Sequence, residues 1–381
     1  MNDPKTIYLS LGSNIGDKLF HLQQAIFKIA EKVASVTAIS NVYESASWGF
    51  EAANFYNCCI VIETNVSAGE LLLKLQEIEK ELGRDRSLKD GYISRIIDLD
   101  LLYYGHDIIN YDDLTIPHPS LHLRQFVLKP LSDIAPQFNH PIFYKDTQNM
   151  MQMCKDEGEI NKTPLKLYKT KEQLFSKLNF IAIEGNIGAG KTSLATKISE
   201  DFNAKLILEQ FADNPFLPKF YEDQARYAFP LEMSFLAERY QQFTDDTSQF
   251  DLFKNFMISD YDIFKSLIFA KVTLQEEEFK LYRKVFDFMY KEIKKPGLYV
   301  YLYQNTDRLL ENIKKRDRDY EQNIPQDYLE KINRGYLDFI NSAQERQILI
   351  IDISELDFVE NKNDYDVIID KLIAFSCKLN G

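Results

Sequence analysis

The segment 181–192 is IAIEGNIGAGKT, an apolar run that favours a β-strand and leads directly into Gly-x4-Gly-Lys-Thr. In such a loop the backbone surrounds the phosphates of a nucleoside triphosphate, Lys191 meets the β and γ phosphates, and the hydroxyl of Thr192 holds Mg²⁺. The following SLATKISEDF favours an amphipathic helix, as the motif requires. We therefore predict a strand–loop–helix site that binds the triphosphate. Its residues are Gly185, Asn186, Gly188, Ala189, Gly190, Lys191 and Thr192.

The position of this motif divides the chain. About half of the 381 residues precede it, and an apolar content of 45% over this length is enough for two cores. The stretch from about 150 to 177 is polar and rich in lysine, without a sustained period. We expect an N-terminal domain over 1–160, a linker over 161–178 and a C-terminal domain over 179–381.

Composition limits the partners. A net charge of −13 and a pI near 5.0 argue against a nucleic acid polymer, which needs a basic surface. The sequence contains no apolar run of membrane length and its beginning lacks the pattern of a signal peptide, so we expect a cytoplasmic protein without a membrane partner. The spacing of Cys58, Cys59, Cys154 and Cys377 matches no zinc or redox motif, and we expect reduced, structural thiols.

The first half alternates segments of strand and helix periodicity. TIYLSLG, VTAISNVYES, FYNCCIVIET and IIDLDLLYYG favour strands, while KLFHLQQAIFKIAEKV and SAGELLLKLQEIEKELG favour helices. The order is β-α-β-β-α-β. We therefore predict an α+β domain of the ferredoxin-like type, with helices on one face of an antiparallel sheet.

Two carboxylates stand out in this half. Asp98 and Asp100 lie at i and i+2 of the apolar run IIDLDLLYYG, so both emerge on one face of a strand. Such a pair suits Mg²⁺ bound together with substrate phosphates, although a half-exposed strand with a polar face is the alternative. Possible phosphate ligands surround the pair in sequence and favour the metal site. They are Arg84, Arg86, Arg95, His118 and Arg124.

The first half resembles a known enzyme family. The segments LSLGSNIGD, YESASWGF, FYNC, ELGRDRS, RIIDLDLLYYG and IPHPSLHLRQFVLKPL are similar, in this order, to those of 6-hydroxymethyl-7,8-dihydropterin pyrophosphokinase over about residues 5–145. The resemblance implies transfer of a pyrophosphoryl group from ATP to the hydroxymethyl oxygen of the pterin, a step of folate synthesis that releases AMP.

The resemblance also implies residue roles. Asp98 and Asp100 would hold two Mg²⁺ ions, Arg84, Arg95 and His118 would act in catalysis, and Arg86 and Arg124 would bind ATP. The pterin would be bound by Ser45, Trp48, Phe55, Asn57, Tyr92 and Phe126, because a flat heterocycle needs aromatic faces and an amide for its polar edge. The chain departs from the family where Ile93 and Ser94 precede Arg95, and the arginine loop is one residue longer.

The second half alternates strand and helix to the end of the chain. The apolar runs NFIAIEG, KLILEQ, KNFMISD, GLYVYLY and QILIIDIS are separated by helical segments, which predicts a parallel, doubly wound α/β sheet. Ligands of such sheets bind at the carboxyl ends of the strands. Glu209 ends the second strand there and could accept a proton from an acceptor hydroxyl, or could be only a charge at a helix N-terminus.

This half resembles the deoxynucleoside kinases of the deoxyadenosine and deoxyguanosine kinase group. The segments LEQFADNPFL, FPLEMSFLAERYQQ, MISDYDIFKSLIFA and KKRDRDYEQNIPQDYLEKI carry the similarity over about residues 178–377. The resemblance implies transfer of the ATP γ-phosphoryl group to the 5′-hydroxyl of a deoxynucleoside. Glu209 would be the general base and Asp260 would lie near the metal or the phosphates. Tyr221 and Glu321 would bind the sugar, and Arg316 and Arg318 would form a mobile lid.

Two positions depart from this second family. Many relatives have glutamine where this chain has Glu232, and a carboxylate suits the exocyclic amino groups of adenine, cytosine or guanine. We expect deoxyadenosine as the nucleoside, with deoxyguanosine or deoxycytidine as alternatives. Tyr261 stands after Asp260 where many relatives have arginine. One phosphate contact must then come from elsewhere, for which Arg239 is a candidate, unless it is only an exposed helix charge.

The sequence thus predicts a bifunctional, Mg²⁺- and ATP-dependent enzyme. Two alternatives remain open at this point. One half could be inactive and regulatory, or the P-loop could serve a nucleotide-sensing switch, since the motif alone specifies binding and not chemistry. A homodimer through the long helices of the kinase domain is expected from the resemblance.

Overall fold

The computed structural model describes residues 3–49, 51–84, 94–111, 113–210, 214–248, 253–318, 321, 324–342 and 346–379. The chain divides into two compact units. The first comprises Met1–Gln173 with Ser376–Gly381, and the second comprises Leu174–Phe375. In the described residues no helix is long and apolar enough to cross a membrane. All four cysteines are free thiols.

The first unit is an α+β structure around an antiparallel sheet. Its strands are β1 Lys5–Ser13, β2 Val36–Ile39, β3 Tyr43–Ser45, β4 Phe55–Thr64, β5 Asp98–Tyr104, β6 Ile109–Tyr111, β7 Leu114–Ile116 and β8 Ile160–Lys162. Its helices are α1 Lys18–Lys32, α2 Ala68–Glu81, α3 Gln125–Ile134 and α4 Thr147–Met153, with a 3₁₀ turn at Leu121–Leu123. The main sheet has the order β5-β1-β4-β3-β8, β2 also pairs with β4, and β6 pairs with β7 separately.

The register of the three central strands positions polar residues together. Gly12 on β1 lies opposite Asp98 on β5 and Asn57 on β4, and Ser10 lies opposite Asp100. Side chains alternate between the two faces of a sheet, so Asp98 and Asp100 share a face while Leu99 enters the core. The sheet therefore gathers carboxylates and an amide at one end.

The expected continuous strand VTAISNVYES is divided into β2 and β3. Tyr43 follows Ile39 by four positions, whereas their partners on β4, Asn57 and Ile60, are only three positions apart. One extra residue must therefore leave the ladder between β2 and β3. The departing segment is held from outside the sheet, because the backbone N–H of Asn41 donates to Asp133 Oδ2 at 3.0 Å.

The segment 161–178, expected to be a linker, carries regular structure. β8 pairs with β3, and Thr163 donates to the carbonyl of Val42 through its backbone N–H at 2.9 Å. Gln23 of α1 exchanges hydrogen bonds with the backbone of Tyr168 at 2.7 and 2.8 Å. The segment is ordered because β8 satisfies the open edge of β3. Helix α5, Lys171–Ser176, follows.

The second unit is the parallel α/β sheet that the alternation predicts. Its strands are β9 Phe180–Gly185, β10 Lys205–Ile207, β11 Met257–Ser259, β12 Leu298–Tyr303 and β13 Ile348–Asp352, in the order β10-β11-β9-β12-β13. Its helices are α6 Lys191–Asp201, α7 Leu217–Glu222, α8 Gln224–Ser248, α9 Phe264–Thr273, α10 Glu276–Tyr290, α11 Thr306–Arg316, α12 Gln326–Ser342 and α13 Lys362–Leu379. All strands run in one direction, so the loops after β9, β10 and β11 meet at one edge.

Candidate active sites

A cavity of about 160 Å³ lies in the first unit, at the end of the sheet where β1, β4 and β5 carry polar residues. Most residues expected to bind pterin or phosphate line it. They are Ser45, Trp48, Phe55, Asn57, Arg95, Asp98, Asp100, His118, Arg124 and Phe126. Ser10, Gly12 and Ala46 also line it, without having been predicted to do so. Arg86 and Tyr92 lie outside the described residues.

Asp98 is held by two arginines. Its Oδ1 lies 2.5 Å from Arg84 Nη1, and its Oδ2 forms an ion pair with Arg95. Arg84 also pairs with the buried Glu79, which in turn accepts a hydrogen bond from the backbone N–H of Leu99 at 2.8 Å. Glu79 thus anchors Arg84 beside the acidic strand. Sequence reasoning misses this support because a single glutamate in an amphipathic helix carries no distinguishing signal.

Asp100 has less positive charge around it. Arg124 Nη1 lies 3.9 Å from Asp100 Oδ2, beyond hydrogen-bonding distance. Burial raises the pKa of Asp100 to about 7, and the charge of Asp98 adds to this effect. Asp100 is therefore the less neutralised of the two carboxylates, and carboxylate oxygens of this kind suit a hard cation. In the described residues no group of three or more His, Cys, Asp or Glu side chains could hold a metal ion. In phosphoryl transfer enzymes Mg²⁺ is usually bound by one or two carboxylates together with substrate phosphates.

Asn57 and Ser45 form the amide end of the cavity. Asn57 Nδ2 donates to Ser45 Oγ at 2.9 Å, which orients the amide. Gly12 lies against the other side, since a Cβ built there would be 3.1 Å from Asn57 Oδ1. Any larger residue at position 12 would press on the amide. The glycine in LSLGSN is the available sequence signal for this contact.

Arg124 lies among the aromatic residues of the cavity. Its guanidinium carbon is 5.0 Å from the ring centre of Trp48 and 5.7 Å from that of Phe126. Arg124 is only 8% exposed, so these aromatic faces screen its charge from water. Trp48 therefore lines the cavity rather than filling a core.

His118 is a neutral imidazole in this cavity. Burial, followed by the charge of Arg124, lowers the pKa of His118 to about 4. Its Nδ1 lies 3.2 Å from the backbone N–H of Ser120 and accepts that hydrogen bond. The ring proton is therefore on Nε2, from which His118 can donate without carrying a charge.

The P-loop of the second unit follows β9 and has the backbone that its glycines allow. Gly188 and Gly190 have φ angles of +83° and +77°, a region that costs other residues strain. A Cβ at Gly188 would lie 2.8 Å from the carbonyl oxygen of Leu309, and one at Gly190 would lie 2.8 Å from Phe358 Cζ. Gly190 is also the N-cap of α6, whose first N–H groups point into the loop.

The ammonium group of Lys191 and the hydroxyl of Thr192 in the P-loop both donate hydrogen bonds to nearby groups. Lys191 Nζ donates to the carbonyl of Asn186 at 2.9 Å, and Thr192 Oγ1 donates to Asp260 Oδ2 at 2.5 Å. The other oxygen of Asp260 accepts from the backbone N–H of Glu209 at 2.7 Å. Asp260 at the end of β11 therefore joins the P-loop to the residue expected to be the base.

Glu209 lies between two buried cations. Arg239 Nε donates to its Oε1 at 2.7 Å, and Lys265 Nζ donates to its Oε2 at 2.6 Å. Burial by itself raises the pKa of Glu209, but the charges of Lys265 and Arg239 outweigh it and the pKa is about 2. Glu209 is a carboxylate at every physiological pH.

Tyr261 does not contribute to the site, and Lys265 supplies the second positive charge beside Glu209. Its ring is fully buried and packs against Phe243, so the position after Asp260 belongs to the core and cannot contact phosphate. Lys265, four residues further along, enters the site instead and lines its cavity. Sequence reasoning missed Lys265. A lysine inside the apolar run FKSLIFA was the available signal, because lysine is rarely buried without a partner.

A second cavity, of about 90 Å³, adjoins the P-loop. Its lining includes the expected residues Lys191, Tyr221, Glu232, Arg316, Arg318 and Glu321. It also includes Phe220, Phe235, Arg239, Lys265, Phe269 and Tyr328. Aromatic side chains dominate the apolar part of this wall, as a nucleobase requires.

The lid arginines contact the residue expected to bind sugar. Arg316, the last residue of α11, forms an ion pair with Glu321, and Arg318 Nη1 lies 3.4 Å from Glu321 Oε1. Glu321 is buried whereas both arginine side chains are more than one third exposed. A buried carboxylate therefore holds the two exposed cations at the edge of the cavity.

The parallel sheet, the P-loop and the buried carboxylate at the end of β10 define the second unit as a P-loop phosphotransferase. The chain belongs to the deoxynucleoside kinase family, whose model matches residues 181–377. The model of the 7,8-dihydro-6-hydroxymethylpterin-pyrophosphokinase family matches residues 8–136. The protein therefore combines a hydroxymethyldihydropteridine diphosphokinase and a deoxynucleoside kinase, as its sequence predicts.

Two relatives with more than one third of their aligned residues identical agree with these assignments. The deoxyguanosine kinase of Bacillus subtilis (strain 168) is 39% identical over 191 residues, which cover 49% of this chain and 92% of the relative. The 2-amino-4-hydroxy-6-hydroxymethyldihydropteridine pyrophosphokinase of Aquifex aeolicus (strain VF5) is 43% identical over 141 residues, which cover 37% of this chain and 86% of the relative. A solved deoxyadenosine kinase from M. mycoides with bound dATP aligns over 51% of this chain and 98% of its own, with 26% identity and a TM-score of 0.45.

Proposed function

We propose that each unit carries out one ATP-dependent transfer at the cavity described for it. In the first unit the hydroxymethyl oxygen of 6-hydroxymethyl-7,8-dihydropterin attacks the β phosphorus of ATP, and AMP leaves. In the second unit the 5′-hydroxyl of a deoxynucleoside attacks the γ phosphorus, and ADP leaves. The observation that carries the second reaction is Glu209, a buried carboxylate connected through Asp260 to the P-loop.

In the first unit, the aromatic and amide residues of the cavity bind the pterin. Trp48, Phe55 and Phe126 offer ring faces, and Asn57, oriented by Ser45, pairs with the polar edge of the heterocycle. When ATP binds, its phosphates compete with Asp98 and Asp100 for the arginines. Arg84, Arg95 and Arg124 then bind the phosphates. His118 donates Nε2–H to an oxygen that gains negative charge.

Asp98 and Asp100 would hold Mg²⁺ in the first unit, and Thr192 with Asp260 would hold it in the second. The bound cation supplies positive charge that neutralises the phosphates during transfer. In the structure Arg84 and Arg95 satisfy Asp98. Phosphate binding by these arginines frees the carboxylate, so that nucleotide and cation are expected to enter together.

In the second unit, Glu209 accepts the proton of the 5′-hydroxyl while the O5′–phosphorus bond forms and the bond to ADP breaks. The two cations on Glu209 keep it ionised, and the transferring phosphoryl group competes with it for Lys265. Because loss of that contact increases the basicity of Glu209, the base strengthens as the proton is transferred. Arg316 and Arg318 leave Glu321 and close on the phosphoryl oxygens. Tyr221 and Glu321 then bind the sugar.

The sequence favours deoxyadenosine as the acceptor, and we propose purine deoxynucleosides as the substrate class. Deoxyguanosine is the second candidate, because the relative that covers the kinase unit at 39% identity is a deoxyguanosine kinase. Glu232, whose carboxyl group lines the cavity beside aromatic residues, is the residue positioned to pair with a base. The base of deoxycytidine also carries an exocyclic amino group, so this nucleoside serves as a pyrimidine comparison for the two purines.

The organisation of the chain is part of the proposal. We assign the pterin reaction to residues 1–160 with a ferredoxin-like arrangement, supported by the strand order β5-β1-β4 with β2 and β3 beyond β4. Residues 161–178 lead to the kinase domain at 179–381. A homodimer through the kinase domain is supported by the exposed Leu281 and Phe288, at i and i+7 on one face of α10.

Nucleotide analysis of the purified protein tests both reactions. The protein is incubated with Mg²⁺ and ATP, separately with the hydroxymethyl-dihydropterin and with each of the four common deoxynucleosides. We expect AMP with the pterin only, and ADP with a nucleoside monophosphate for purine deoxynucleosides. Absence of AMP would contradict activity of the first unit, and absence of ADP would favour a nucleotide-sensing role of the P-loop.

A further inference from the structure

Glu232 of α8 is buried with one oxygen unsatisfied. Its side chain lines the cavity of the second unit although the residue is only 3% exposed. Oε1 lies 3.0 Å from the hydroxyl of Thr273 and accepts its hydrogen bond. Oε2 has no hydrogen-bond partner among the residues that the structure describes. A buried carboxylate oxygen without a partner is costly, so a ligand in the cavity is expected to satisfy it.

The positive charges around Glu232 lower its pKa, but they do not cancel the increase that burial causes. Arg239 of α8 and Lys265 of α9 face it, but both already contact Glu209. Burial raises the pKa of Glu232 to about 7, against the opposing effects of Arg239, the Thr273 hydroxyl and Lys265. The other titratable groups of this region are Tyr221, Tyr282 and Tyr328, with Lys191, Arg316, Arg318 and Glu321 along the same cavity.

The two protonation states of a carboxyl group differ in the base edges with which they can pair. A carboxylate only accepts, so it pairs with two adjacent donors, which guanine presents as N1–H and the N2 amino group. A carboxylic acid accepts through one oxygen and donates through the other, so it pairs with the N6 amino group and N1 of adenine, and also with N1–H and O6 of guanine. The purines have the same ring system, and the edge is therefore the main difference that Glu232 encounters.

We propose that Glu232 selects the purine through its protonation state, admitting guanine in either state but adenine only as the carboxylic acid. This inference rests on the proposed kinase function and deepens it by assigning both purines to one cavity. It accounts for a glutamate at a position where an amide, which both donates and accepts hydrogen bonds, would admit either purine at any pH.

Competition between deoxyadenosine and deoxyguanosine tests the proposal in the full-length protein. Both nucleosides are supplied together at equal concentration with Mg²⁺ and ATP, and the ratio of dGMP to dAMP is measured from about pH 6 to about pH 8. Because both substrates use the same P-loop and the same general base, pH effects on Lys191 or Glu209 cancel in the ratio. We expect the ratio to rise by roughly tenfold or more across this range.

Glu232→Gln is the matched variant, since it keeps the size of the side chain and removes its titration. Its ratio is expected to stay constant with pH and to resemble that of the wild type at low pH, because an amide, like the carboxylic acid, can pair with either purine. In Thr273→Val, loss of the hydroxyl that stabilises the carboxylate is expected to move the change in ratio to higher pH. This second variant tests the proposal if the first does not fold.

The outcomes separate this inference from the proposed function. A wild-type ratio that is independent of pH, or one that changes equally in Glu232→Gln, would overturn the protonation switch while leaving the kinase assignment intact. Failure to phosphorylate either purine at any pH would instead contradict the proposed function itself.

Discussion

Glu209 shows how single residues define the chemistry of the kinase site. A buried carboxylate is costly unless cations accompany it, and here Arg239 and Lys265 each donate to a different oxygen. The resemblance to deoxynucleoside kinases predicts Glu209 as the base, and Arg239 was a candidate for the missing phosphate contact. Only the structure identifies Lys265, because its distance from Glu209 depends on the tertiary packing of α9, which contacts α8 and α12.

The first prediction concerns Lys265. We expect Lys265→Met to lower kcat for the nucleoside by roughly 10²-fold, because the transferring phosphoryl group loses a cation. The charge of Lys265 also lowers the pKa of Glu209. Its loss therefore raises that pKa, and the acidic limb of kcat/KM moves to higher pH. Initial rates measured across pH would show both effects.

Lys265→Arg is the control for this prediction, since it retains the positive charge. We expect its acidic limb to stay close to that of the wild type. If Lys265→Met lost activity without any movement of the acidic limb, Lys265 would be a packing residue and not a positioning residue for Glu209.

At the scale of elements, the P-loop is determined by backbone conformation as much as by its side chains. Gly188 lies in the left-handed region and directly beside the backbone of α11. We expect Gly188→Ala to cost roughly 1–3 kcal/mol of stability in the kinase unit, from strain and close contact. The KM for ATP is expected to rise as the loop shifts. Thermal unfolding and ATP kinetics check both effects.

Gly69→Ala provides a matched control for a glycine substitution. Gly69 lies in α2, and a Cβ built there has no neighbour within 4 Å. This variant is expected to stabilise the first unit by about 0.5 kcal/mol, because alanine loses less entropy in a helix. Equal effects of the two substitutions would contradict the conformational argument.

His140 lies in the loop before α4, and we expect its protonation to lower the stability of the first unit. Burial, followed by the charge of His122, lowers the pKa of His140 to about 4. Its Nδ1 accepts backbone hydrogen bonds from Ile142 and Phe143 at 3.2 and 3.3 Å, which protonation would break. The unfolded state, with a pKa of about 6.5, binds the proton first as the pH falls. The contribution of His140 to stability is therefore lost between about pH 6.5 and pH 4.

Comparison with His140→Gln isolates this contribution. We expect the variant to be less stable than the wild type near neutral pH, and the difference in free energy of unfolding to decrease as the pH falls towards about 4. Denaturant unfolding at several pH values measures it. A difference that is constant with pH would show that His140 does not titrate in this way.

At the scale of the whole molecule, each cavity is lined by residues of one unit only. The first uses positions between 10 and 126, and the second uses positions between 187 and 328. We therefore expect the two reactions to be lost independently. Asp100→Asn should lower AMP formation with the pterin by roughly 10²-fold or more, and Glu209→Gln should do the same for ADP formation with the nucleoside.

Each of these variants serves as the control for the other. The activity of the unmutated unit is expected to remain within about twofold of the wild type, since additivity holds for separate sites. If either substitution reduced both activities, the two units would communicate, and the idea of two independent sites would fail.

The parts of this protein that depend on local pattern and motif follow from the amino-acid sequence. Strand and helix periodicity predicts the two architectures, and the residue patterns alone single out Gly-x4-Gly-Lys-Thr, Asp98 with Asp100, and Glu209. Local patterns succeed here because glycine conformations, alternation along strands and capping are properties of short segments. They do not predict the split between β2 and β3, since a bulge depends on the register with β4.

The groups that surround these residues, in contrast, depend on tertiary packing. Register brings Gly12 against Asn57, helix packing brings Lys265 to Glu209, and the edge of β3 orders the segment that was expected to be a linker. The ionisation of Glu232 likewise depends on burial and on charges from separate helices. Such contacts join positions far apart in the chain, and their energies depend on distances that no local pattern contains.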